Sequence, residues 1–169
     1  ISHTFDGIIF GNVQAAKTNI EIINNIIKNL STYRDAVNNQ HGSGIQIWNG
    51  QDSFIIRNNI IDYRNGGYGD AGIKIDTFLG TGSLIIEANQ VLNGQNDHWG
   101  QRRFDGISYT SGFGQAQIIN NMVSSRSPGF GIHINAPNCF VSFNTVVQAV
   151  AAAGGLENAD VFYLYKSGH

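Results

Sequence analysis

A chain of 169 residues with a net charge of −2 has no basic field with which to grip nucleic acid. Its 41% apolar and 11% aromatic content excludes disorder, and its single cysteine, Cys139, excludes an intrachain disulfide or a cysteine metal site. No signal peptide or membrane span is visible, so no membrane partner is expected.

In chain order, the first predicted element is a glycine followed by alternating apolar residues, Asp6-Gly7-Ile8-Ile9-Phe10, which reads as a strand with one buried face. A second block follows: an apolar run, asparagine, and two more apolar residues, Ile22-Ile23-Asn24-Asn25-Ile26-Ile27. After a polar loop at 31–41, both blocks return as Ser43-Gly44-Ile45-Gln46-Ile47 and Ile55-Ile56-Arg57-Asn58-Asn59-Ile60-Ile61. They return again as Ala71-Gly72-Ile73-Lys74-Ile75 and Ile85-Ile86-Glu87-Ala88-Asn89-Gln90-Val91. A second long loop, 95–103, precedes Asp105-Gly106-Ile107-Ser108-Tyr109 and Ile118-Ile119-Asn120-Asn121-Met122-Val123. The last full pair is Phe130-Gly131-Ile132-His133-Ile134 and Val141-Ser142-Phe143-Asn144-Thr145-Val146. Residues 147–153 have helical flavour, and 160–164 read as the start of a sixth unit.

Aligned on Asn25, Asn59, Asn89, Asn121 and Asn144, the third residue before is always Ile or Val, and so is the second residue after. Such a repeat is the signature of stacked units that bury a continuous core no single unit could bury alone. Each unit reads as one coil of three strands, in which asparagine takes the left-handed bend and stacks its amide on the next coil. The glycines at 7, 44, 72, 106 and 131 are unevenly spaced, and most of that variation falls after the third strand, where loops of different length must project. The repeats lack helical periodicity, and βαβ units would need helical segments of roughly ten or more residues between strands, whereas only the short 147–153 has helical flavour.

The expected fold is therefore all-β: a right-handed, single-stranded parallel β-helix of about five coils plus a partial sixth. These coils resemble the repeats of the pectate-lyase-like superfamily, which includes pectate lyases, alginate lyases and epimerases, phage tailspikes and nitrous-oxide-reductase accessory proteins. The resemblance spans roughly residues 5–147. It is specific for fold and weak for activity, because this architecture carries many chemistries. Members usually cap the first coil and cover the last. Both ends look open here, so 1–169 reads as one β-helix domain that is a fragment, a segment of a longer solenoid, or a chain with a partner at its ends.

The resemblance implies that the first strand of each coil faces a substrate groove. If Ile73 and Ile75 point inward, Lys74 and Asp76 point outward, and Gln46, Trp48, Ser108, Thr110, His133 and Asn135 share that face. Coils ~4.8 Å apart turn these into two ladders. The loop at 95–103 adds His98 and Asp97 to move protons, Trp99 to stack on a sugar ring, and Arg102 and Arg103 to pair with carboxylates. The plain alternative is a solvated sheet face with Trp99 packed on the solenoid.

On an acidic, uronate-containing polysaccharide the chemistry would be proton abstraction beside the carboxylate, giving β-elimination or epimerisation. Arg102, Arg103 or a Ca²⁺ ion would neutralise the carboxylate; Lys74 with a lowered pKa, or His133, would take the proton. Catalytic candidates are thus Lys74, His133, Asp76 and Arg102, with Trp48, Gln46, His98, Trp99 and Arg103 binding substrate. Hydrolysis needs two flanking carboxyl groups, and the ladder supplies only Asp76 unless Asp97 or Asp105 joins it. The acidic pairs of polygalacturonases and the Asp-Pro-His signature of bacterial alginate epimerases are absent. The Gly67-Tyr68-Gly69-Asp70-Ala71-Gly72 string opens a strand instead of a helix, so it is a turn and not a phosphate loop. Two readings stand: a secreted or cell-surface carbohydrate-active protein, and a non-catalytic segment of an adhesin, fibre or larger assembly.

Overall fold

The computed structural model describes residues 7–11, 19–28, 30, 42–48, 53–64, 70–76, 82–94, 104–112, 115–126, 129–148 and 162–164. The first coil comprises β1 (Ile8–Gly11), β2 (Asn19–Ile23) and β3 (Ile26–Lys28). The second has β4 (Ser43–Trp48), β5 (Ser53–Arg57) and β6 (Ile60–Asp62). The third has β7 (Ala71–Ile75), β8 (Ser83–Glu87) and β9 (Gln90–Gly94). The fourth has β10 (Asp105–Tyr109), β11 (Gln115–Ile119) and β12 (Met122–Ser125). The fifth has β13 (Ile132–Ile134), β14 (Cys139–Ser142) and β15 (Thr145–Gln148), and β16 (Phe162–Leu164) begins a sixth.

Every pairing is parallel and joins equivalent strands of successive coils, so the fold is a parallel β-helix with three sheets. The first sheet runs β1-β4-β7-β10-β13-β16, and the second and third hold five strands each. The expected column forms in the second sheet: Ile22 pairs with Ile56, Ile56 with Ile86, Ile86 with Ile118, and Ile118 with Val141. In the third sheet Ile27, Ile61, Val91, Val123 and Val146 stack likewise. Most of these side chains are out of water, and each buried Ile or Val contributes roughly 1.5–3 kcal/mol of transfer free energy. Thr145–Gln148 is a strand, which corrects the helical expectation at its start. Val146 and Val147 are β-branched and complete a ladder that β12 templates. Residues 149–153 lie outside the described residues.

The bend between second and third strands divides its work between two residues. The left-handed backbone falls on Asn24, Asn58, Ala88, Asn120 and Phe143, each one residue before the aligned asparagine. This corrects the expectation that one asparagine does both jobs. The aligned asparagine is the ladder residue. Asn59 Nδ2 donates to Asn89 Oδ1 at 2.9 Å and to Ile22 O, in the preceding coil, at 2.8 Å. Its backbone N–H donates to the same Asn89 Oδ1 at 3.0 Å. The bonding repeats from Asn25 through Asn59, Asn89 and Asn121 to Asn144. Fully satisfied, a buried amide row of this kind fixes the stacking register.

The repeated glycines serve close packing and not bending. A methyl on Gly72 would stand 2.7 Å from both Val91 Cγ2 and Gly106 O, and Gly44 and Gly106 meet Ile61 and Val123 in the same way. At the next corner Tyr63, fully buried, donates its hydroxyl to Ala71 O at 2.8 Å. That bond ties the end of the second coil to the start of the third coil's first-sheet strand.

Candidate functional site

The first-sheet ladder stacks in the expected register. Ile9 pairs with Gln46, Gln46 with Lys74, Lys74 with Ser108, and Ser108 with His133. Its exposure departs from expectation: Gln46 and Ser108 are buried, whereas Trp48 in the neighbouring row is half exposed. The reason lies in bonds between coils. Gln46 Nε2 donates across to Asp76 Oδ2 at 2.7 Å, which folds the amide down onto the sheet.

Asp76 is the hub of this face. Its Oδ2 also accepts the Trp48 indole N–H, and its Oδ1 lies 3.4 Å from Lys74 Nζ. Lys74 in turn donates to Asp70 Oδ2 at 2.5 Å. Burial opposes the ammonium form, yet the carboxylates of Asp70 and Asp76 outweigh it and the Lys74 pKa lies above its usual value. A general base requires the reverse shift. Lys74 is therefore a fixed cation here, which corrects its expected part as proton acceptor. The same ammonium stands between Asp70 and Asp76 where a bound cation would have to sit. Among the described residues no three His, Cys, Asp or Glu side chains converge on a metal position, so the described residues alone do not fit Ca²⁺.

His133 is differently placed. Its Nδ1 lies 3.2 Å from Asp105 Oδ2, and Asp105 Oδ1 accepts the Phe130 backbone N–H at 3.2 Å. The Phe130 ring packs on the imidazole at 4.9 Å between centroids. With Nδ1–H directed at a carboxylate, the neutral imidazole carries its lone pair on Nε2. Asp70 was not among the expected site residues, and Asp105 was named only as a second carboxyl for hydrolysis. Their signal was positional: both acids sit within two residues of a repeat glycine, and Asp70 is four residues before Lys74. Asp105, Asp70 and Asp76 against Lys74 leave the cluster net negative while His133 is neutral.

His98, Trp99, Arg102 and Arg103 lie outside the described residues, as does Asp97. Cys139 is half-buried and its thiol is pushed up to about 12 by burial, so at neutral pH it is not a nucleophile. No protein-family profile, curated protein or solved structure matches the chain.

Proposed function

We propose that the chain is a carbohydrate-active β-helix of the cell exterior that binds polysaccharide across the first sheet and transfers a proton through His133. The observation that carries this reading is the Asp105–His133 contact at 3.2 Å on the first sheet, whose neighbouring row holds Trp48. Asp105 orients the imidazole, and Nε2 takes the C5 proton beside a uronate carboxylate. In elimination the C4–O bond then breaks and the leaving oxygen takes a proton from water; in epimerisation water returns a proton to C5 on the opposite face. Trp48, held by its N–H to Asp76, offers a half-exposed indole to a sugar ring.

A second enzymatic reading, glycoside hydrolysis, draws support from Asp70 and Asp76. Both carboxylates touch one ammonium, at 2.5 Å and 3.4 Å. Their ammonium-contacting oxygens are therefore no farther apart than those distances combined, which is compatible only with the ~5 to ~5.5 Å separation of a retaining glycosidase pair.

Incubation with a panel of uronate and neutral polysaccharides separates these readings. Elimination generates the absorbance of an unsaturated uronate, epimerisation exchanges the C5 hydrogen with solvent deuterium, and hydrolysis yields reducing ends with neither. His133→Asn is expected to lower elimination or epimerisation by about 10²- to 10⁴-fold, the range for one positioned acid–base group. Absence of turnover and of glycan binding on the whole panel would return the chain to a non-catalytic solenoid segment.

A further inference from the structure

At the corner where the third sheet turns toward the first, one coil breaks the repeat. Val91 pairs with Val123 and Gly94 with Ser125, so β9 holds one residue more than β12 across the same span. The extra residue lies at Leu92–Asn93, and Asn93 adopts a left-handed backbone with φ 58° away from the recurring bend positions. Bulges and strained positions of this kind re-aim side chains. Asn93 Nδ2 donates to Asp62 Oδ1 at 2.9 Å, one coil before. Its Oδ1 accepts from Arg126 Nη2 at 3.2 Å, one coil after. Asp62, nearly buried, also holds the exposed Arg64 at 3.4 Å. The result is a bonded row, Arg64–Asp62–Asn93–Arg126, running along the solenoid axis over three coils. Lys28 pairs in register with Asp62 one coil earlier. Asp62 is thus paired with Arg64, and among the described residues no carboxylate pairs with Arg126. Its guanidinium is held by a neutral amide, exposed, and aimed by a backbone irregularity.

We propose that this row is a subsite for the oxyanions of a polysaccharide lying along the axis, with Arg126 as the principal contact and Arg64 as the second, two coils (~9.6 Å) away. The planar guanidinium fork suits both carboxylate and sulfate-ester oxygens. The inference rests on the glycan-active reading, and it supplies what the first-sheet cluster lacks. That cluster is net negative and repels a polyanion; the corner row, next along the chain through Tyr63 and Ala71, attracts one.

The test uses three soluble oligosaccharides of equal length as calorimetric probes: a polyuronate, a sulfated neutral glycan and an uncharged glycan. Wild type is expected to prefer at least one charged probe over the uncharged one, with an affinity that falls as salt rises. Arg126→Gln is expected to weaken that probe about 10-fold or more, as for loss of one charge-assisted bond, and to leave the uncharged probe unchanged. Asn93→Gly keeps the left-handed backbone and removes only the amide, so it is expected to weaken the charged probe by less; Arg126→Lys is expected to restore part of the loss. Which charged probe responds identifies the oxyanion. Equal binding of the charged probe by wild type and Arg126→Gln overturns the subsite, as does the absence of any preference for charge. If turnover persists in Arg126→Gln with charge preference absent, the corner proposal fails and the catalytic reading stands. If Arg126-dependent binding persists while no substrate turns over, the subsite stands and the catalytic reading fails.

Discussion

Gly72 and Val91 compete for one space: the hydrogen that glycine leaves in place of a side chain is what allows the valine methyls onto the first sheet. The pair recurs as Gly44 with Ile61 and Gly106 with Val123. Gly72→Ala is expected to overpack the corner and destabilise by about 1–3 kcal/mol, a melting shift of several degrees in thermal unfolding. Adding Val91→Ala removes the side-chain clash but not that with Gly106 O, so the double variant is expected to show coupling with incomplete recovery. Strictly additive losses would mean the two side chains do not share this space.

Asn89 sits mid-ladder and fully satisfied. Its amide donates to Ile56 O and Asn121 Oδ1, and its Oδ1 accepts two bonds from Asn59. Asn89→Ala strands several buried groups at about 1–3 kcal/mol each. A loss of at least about 3 kcal/mol in denaturant unfolding is expected, against a smaller one for the partly buried Asn25→Ala at the ladder's first rung. Similar losses at both positions would show that the amide row does not carry the stacking register.

Phe143 combines a left-handed backbone, φ 54°, with 86% exposure. Nothing described rewards the ring, and the conformation disfavours any residue with a bulky side chain by roughly 1–2 kcal/mol. Phe143→Asn and Ala88→Asn, which match the residues at the other bends, are each expected to raise stability by up to about 1 kcal/mol. A fall in melting temperature for Phe143→Asn would mean that the ring has a packing partner.

Alkaline pH should destabilise the fold in stages. Burial raises the Cys139 thiol from 9.0 to about 12 and the Tyr109 hydroxyl from 10.0 to about 12, and the flanking carboxylates raise Lys74 above 10.5. A raised folded pKa means that the folded state holds its proton longer than the unfolded chain. The stability so contributed is complete below the unfolded value and is lost as pH climbs toward the folded one. Midpoints are expected to decline from about pH 9 upward, and Cys139→Ala should flatten the first part of that decline. The Tyr109 hydroxyl is buried with no hydrogen-bond partner among the described residues, so Tyr109→Phe is expected to be neutral or stabilising at pH 7 and to reduce the later decline. An unchanged alkaline limb in Cys139→Ala would place its thiol in contact with water.

The stacking of Ile22, Ile56, Ile86, Ile118 and Val141 was legible from spacing alone, because a coil that buries one face must present the same kind of residue at the same place each turn. So were the order of the Gln46–Lys74–Ser108–His133 ladder and the start of a sixth coil. What spacing could not convey is how side chains lean once the coils are stacked. The amide of Gln46 turns across to Asp76, Lys74 is captured between two carboxylates, and the bend residue separates from the ladder residue by one position. The Asn93 bulge was equally invisible, since one extra residue in one coil leaves no period to detect. Periodicity reports the backbone's repeat, because burial acts on every coil alike; hydrogen bonds between coils depend on distances of a few ångströms between residues about thirty apart in sequence, and only the folded chain sets those.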